Sequence, residues 1–192
     1  CGIMASQLSL IMIRINKWKA RFKTTGAHIF FLVITGLIIA CIAFFIHREV
    51  LGSGKEIMER ILFTDNKHEE WYIPILRMVG PALAFTSGGA GGIFALALSA
   101  GASIGSVIAG YISLNPQETN VVVLCGMVAF LTGITRAPFT SAIIVLEMTD
   151  RHSLIFYLML AGMMSSIASI IVSRHSLYEI LKIGFLKELR KE

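Results

Sequence analysis

Charge is absent from a long central stretch of this sequence: from Met78 to Gln117 there is no Asp, Glu, Lys or Arg. Only 15% of the chain is charged, 55% is hydrophobic, and the mean hydropathy is +0.75, which excludes an ordinary water-soluble domain. Cysteine is scarce too. Cys1, Cys41 and Cys125 are odd in number and far apart, so they indicate neither a disulfide framework nor a zinc site and read as small buried hydrophobes. No catalytic triad, metal-ligand cluster or nucleotide loop stands in the sequence, and neither enzymatic activity nor a cofactor is expected. Gly52-Ser-Gly-Lys-Glu56 fails as a phosphate loop because Glu56 occupies the position that needs a hydroxyl. His68 with Glu69 and Glu70 lacks the supporting ligands of a metal site. There is no basic patch interleaved with aromatics on a soluble module, which argues against nucleic acid.

What the chain has instead is apolar runs, continuous rather than alternating, and these call for helices and not barrel strands. The expected fold class is all-α, a polytopic transmembrane helical protein. Ile29 to Ile46 is a full span, with Thr24 or Thr25 as its cap; Ile93 to Leu114 and Leu154 to Val172 are others. Ile3 to Ile15 is too short to span, which suits the end of a helix that begins before residue 1. Val121 to Thr135 and Pro138 to Met148 are also too short for upright spans, with Asn115 to Asn120 read as a turn before them. Glu56 to Phe63 is a short amphipathic helix for the membrane interface, its apolar side carrying Ile57, Met58, Ile61 and Leu62. Thr64 to Glu70 reads as a solvated loop, and Trp71 and Tyr72 mark re-entry into the bilayer for a segment that runs to Ser87 past Pro74 and Pro81. Within that segment Arg77 snorkels to the headgroups or, in a second reading, lines an anion pathway. The formal charge of +5 gathers in Arg14 to Lys23 and Lys182 to Lys191, both membrane-flanking.

Before the charge-free helix lies the run Gly88-Gly-Ala-Gly-Gly92. The first N–H groups of a helix have no partner inside it and, with the aligned dipoles, act as roughly half a positive charge. Glycines leave those groups open to an anion, and Ile93 and Phe94 are the best-placed donors. A phosphate site adds Lys or Arg, and none lies nearby in sequence; neutral donors hold an ion gently, as permeation requires. Alternatively the glycines only let helices pack closely, as Gly101-x-x-x-Gly105 is expected to do. The residues alone leave both readings open, with packing the simpler.

Four blocks in order and spacing, Gly92-Ile-Phe-Ala95, Gly101-Ala-x-x-Gly105, Arg136-Ala-Pro-Phe-Thr-Ser-Ala-Ile-Ile-Val-Leu-Glu-Met-Thr-Asp150 and Ser176-Leu-Tyr178, resemble the second half of the CLC family of chloride channels and chloride/proton antiporters. The likeness is clear from Gly52 to the C-terminus. It implies a CLC-type inverted-repeat fold of which this is the second half: 1–23 the end of a truncated helix and a basic linker, 24–175 the second repeat, 176–192 a terminal helix and basic tail. It also implies a missing N-terminal half of the same protein, a homodimer formed through the helices that start at Pro138 and Leu154, and a multi-pass position in the lipid bilayer of an inner or plasma membrane. Chloride is the implied transported ligand, bound by the amides of Ile93 and Phe94 and the hydroxyl of Tyr178, with Gly92, Ile93, Phe94, Ala95 and Leu96 as the selectivity motif.

The family usually has Pro where this chain has Leu96, so a spare amide and a less rigid helix start are expected there. Nitrate or fluoride on the same scaffold is therefore a second reading, and a non-conducting membrane scaffold a third. Glu147 matches none of the family's gating or proton-transfer glutamates, which belong to the other half, and is expected to be structural. The positive-inside rule places the 14–23 linker in the cytoplasm, whereas the implied inverted topology places it opposite the C-terminal tail.

Overall fold

Small residues set the centre of the molecule. The computed structural model describes residues 1–19, 25–46, 48, 51–64, 67–88, 92–173 and 176–189, and all regular structure among them is helical. Helices α5 (Ile93–Ile112) and α6 (Pro116–Thr135) form a hairpin with the most extensive contact in the fold. Their backbones touch where Gly101, Gly105 and Gly126 face one another: a Cβ on Gly126 would stand 2.5 Å from the Gly101 carbonyl, and one on Gly105 2.7 Å from Val123 Cα. Close backbone approach is how helices associate where apolar burial gives no preference over lipid, and the close-packing reading of Gly101 and Gly105 is met here.

The start of α6 differs from the sequence expectation. The stretch read as a turn is the helix's first turn: Pro116 takes an opening position that needs no N–H donor, and the Glu118 carboxylate accepts from the Asn115 N–H at 3.1 Å in a capping box. The helix is thereby 20 residues long and able to span. Around this pair stand α1 (Gly2–Lys19), α2 (Thr25–Phe45), α3 (Lys55–Phe63), α4 (Ile73–Ser87), α7 (Pro138–Thr149), α8 (Ile155–Val172) and α9 (Leu177–Leu189). Spans of sufficient length and apolarity are, among the described residues, Gly26–Phe45, Ile93–Ile112, Pro116–Thr135 and His152–Val172. Both α5 and α6 are largely buried, while α2 and α8 present Phe30, Leu37, Met164, Ile167 and Ile171 outward. Thr24 lies outside the described residues.

Helix α3 is amphipathic as expected, and its apolar side is turned into the protein: Ile57, Met58 and Ile61 are buried and it packs on α5, with a smaller contact to α6. In the loop from Lys67 to Glu70, His68 and Glu70 are exposed as expected, but Lys67 is not solvated and Glu69 is half-buried. The Lys67 ammonium is buried and donates to the carbonyls of Ile61 and Leu62, at 3.3 and 3.2 Å, and to Asn120 Oδ1 at 2.9 Å. It thus supplies the cation that the C-terminal end of α3 favours. Arg60 holds Glu69 through Nε and Nη2 at 3.0 and 2.7 Å, and Ser106 Oγ accepts the Glu69 N–H at 2.9 Å. The cysteines are also not uniformly buried: Cys1 and Cys125 are half-buried and Cys41 is exposed on an apolar helix.

Candidate functional site

Helix α4 closes at Gly88, left-handed at φ 98°, and the chain re-enters the described structure at Gly92 with an extended φ of −82° and ψ of 119°. Gly89 and Gly91 lie outside the described residues. The ladder of α5 opens with the Leu96 N–H donating to the Gly92 carbonyl at 3.4 Å. The amides of Ile93, Phe94 and Ala95 therefore precede the ladder, and no intrahelical acceptor exists for them. Leu96 does not offer the spare donor expected in place of proline. It is the fourth residue of the helix, the first whose N–H is taken up within it.

Gly92, Ile93, Ala95 and Leu96 line a cavity of about 410 Å³ together with Gly80, Pro81, Ala84 and Phe85 of α4, Ile39 of α2 and the loop Leu51 to Ser53. The start of α5 and the end of α4 thus share one space. Ile93 is buried by its side chain, whereas Phe94 is 44% exposed and stands outside the cavity's described lining. Tyr178 also stands outside that lining, 41% exposed, on a helix that packs against α1 and α6. Its place is fixed locally. Ser176 Oγ accepts the Glu179 N–H at 3.1 Å, Glu179 Oε2 accepts the Ser176 N–H at 3.0 Å, and Leu177 is fully buried, which leaves Tyr178 pointing off the anchored turn. Burial pushes the phenol above its ordinary value of 10.0, so it remains an O–H donor at neutral pH.

Four cations are directed at backbone carbonyl oxygens. Arg77 is the most telling, because it does not snorkel: it is wholly buried and donates from Nη1 to the carbonyls of Leu51 and Gly52 at 3.0 and 3.3 Å. Gly54, at φ 81°, makes room for it, since a Cβ there would fall on Arg77 Nη2. Arg136, the left-handed C-cap of α6 at φ 64°, donates to the carbonyls of Ser166, Ser169 and Ser173 at 3.2, 2.8 and 2.6 Å and so closes the end of α8. Lys19 donates to the carbonyls of Thr86 and Ser87 at 3.2 and 2.8 Å, at the end of α4. Lys67 does the same for α3. Glu147 is exposed on α7. His68, Glu69 and Glu70 do not gather into a metal cluster, and among the described residues no group of three acidic, His or Cys side chains does. Arg21, Lys23, Arg190 and Lys191 of the two basic segments lie outside the described residues.

Reading along the sequence misses Arg136 and Lys19 as structural cations because their acceptors lie on other segments, 68 positions away for Lys19 and Ser87. It misses Lys67, whose carbonyl acceptors are five and six positions back, because its third partner is Asn120. The available signal is a basic residue at the edge of an apolar helix, which seeks the carbonyl end of a neighbouring one.

Long apolar helices, a buried hairpin packed through glycine and outer helices with apolar outward faces define an integral, multi-pass α-helical membrane protein. Residues 1–170 match the family model described as "Voltage gated chloride channel". The chain belongs to that family, whose activity is anion transport of the chloride channel or antiporter type.

Proposed function

We propose that this chain carries the chloride-binding elements of a chloride channel or chloride/proton antiporter, in which the ion is held by the amides of Ile93 and Phe94 and the hydroxyl of Tyr178. The observation that carries this reading is the start of α5, where three successive amides precede the first intrahelical bond behind a helix end with no side-chain cap. Each is a neutral donor backed by the helix dipole, and the cations around it are engaged with carbonyls, so an ion is stabilised without being trapped. Gly92, Ile93, Phe94, Ala95 and Leu96 form the selectivity motif.

In the same reading, 24–175 is the second repeat, preceded by a helix end and basic linker and followed by the terminal helix and tail. The rest of the pore comes from an N-terminal half of the same protein. The functional unit is a homodimer, and the outward apolar faces of α7 and α8 supply surface for it. The transported ion is the only ligand; no cofactor and no catalysed reaction are involved.

Flux from liposomes containing the intact protein tests the function. Chloride efflux that exceeds that of nitrate and fluoride supports it, and proton movement coupled to chloride assigns the antiporter over the channel. Equal leak with and without protein contradicts it.

A further inference from the structure

Helix α4 ends beside the cavity into which α5 opens, and the two ends have opposite polarity. The carbonyl end of α4 acts like roughly half a negative charge and has no basic residue in its own last turn. Ala84 and Phe85 of that turn line the same 410 Å³ cavity as Gly92 and Ile93. An anion drawn to the α5 amides is therefore repelled by the neighbouring terminus at a distance on the order of 10 Å. The charge that answers this comes from far away in sequence. Lys19, in the last turn of α1, lays its ammonium on the Thr86 and Ser87 carbonyls at 3.2 and 2.8 Å and lies 3.2 Å from the point a Gly88 Cβ would occupy.

We infer that Lys19 is a positioning and electrostatic residue for the proposed chloride site: its ammonium cancels the negative end of α4 so that the neutral donors of α5 can hold an anion. This rests on the reading of the α5 start as the anion site. Two of the three ammonium N–H donors of Lys19 go to the Thr86 and Ser87 carbonyls, and its charge acts through the helix end it covers. Loss of one unit charge about 10 Å from a chloride, at an effective dielectric constant of about 20, changes affinity by about an order of magnitude.

Chloride titration calorimetry on the intact purified protein tests this, with thermal unfolding recorded for each variant. Lys19→Gln keeps a hydrogen-bond donor and loses the charge, Lys19→Arg keeps both, and Ser87→Asp adds a negative charge at the same terminus while leaving Lys19 in place. The expected result is about tenfold weaker chloride binding in Lys19→Gln and in Ser87→Asp, wild-type affinity in Lys19→Arg, and a loss in the two charge-changing variants that follows charge and not the melting temperature. Tyr178→Phe is the reference for the site itself. Weaker binding in Tyr178→Phe with unchanged affinity in Lys19→Gln and Ser87→Asp overturns the role of Lys19 and leaves the site standing. Unchanged affinity in all of them overturns the site, and this inference with it.

Discussion

Gly126 presses on Gly101 so closely that a methyl group at Gly126 would stand 2.5 Å from the Gly101 carbonyl oxygen. This contact positions α5 against α6 and so fixes the axis along which the α5 amides point. Gly126→Ala forces the backbones apart, and overpacking of this kind costs about 1–3 kcal/mol. The expected outcome is a lower unfolding temperature in detergent. Gly36→Ala on α2, where a Cβ would meet nothing within 4 Å, is the control and is expected to be neutral or stabilising.

Arg77 and Gly54 form a second coupled pair. Arg77→Met leaves the carbonyls of Leu51 and Gly52 without their donor, at a cost of about 1–3 kcal/mol. Gly54→Ala destabilises through its left-handed φ and its collision with Arg77 Nη2. If the lodging of the guanidinium is the cause, Gly54→Ala is less damaging in an Arg77→Met background, and a double-mutant cycle by thermal unfolding returns a coupling of about 0.5–3 kcal/mol. Strict additivity contradicts the pairing.

Much of this architecture was readable in advance, because each apolar run between charged or glycine-rich breaks became a helix. The start of α5 was legible for the same reason: glycines precede an uninterrupted apolar segment, and the helix opens at Ile93 as expected. The start of α6 was not, since Gln117 to Asn120 is as polar as a turn while serving as a capped first turn. Arg77 was misjudged for a different reason. Local hydropathy places a lone arginine at the headgroups, and only the fold shows the loop carbonyls that receive it. Lys67 and Lys19 share that origin. The proposed pairing of Tyr178 with the α5 amides is encoded by no local pattern and rests on the family resemblance.

Tyr178 also sets the pH behaviour of the proposed site. Its neutral form is the donor, and burial raises the phenol above 10.0, so protonation is retained as pH rises through the physiological range. Chloride affinity measured between about pH 6 and 9 is expected to be flat in any contribution from this group and to fall only at more alkaline pH. A midpoint near neutrality that disappears in Tyr178→Phe contradicts the assignment.

The central claim is that backbone amides at the opening of α5 solvate a halide. Anomalous diffraction from crystals of the intact protein grown in bromide measures it directly. The account predicts a bromide peak within hydrogen-bonding reach of the Ile93 and Phe94 amides and the Tyr178 hydroxyl. Strong peaks elsewhere with none at that position contradict it.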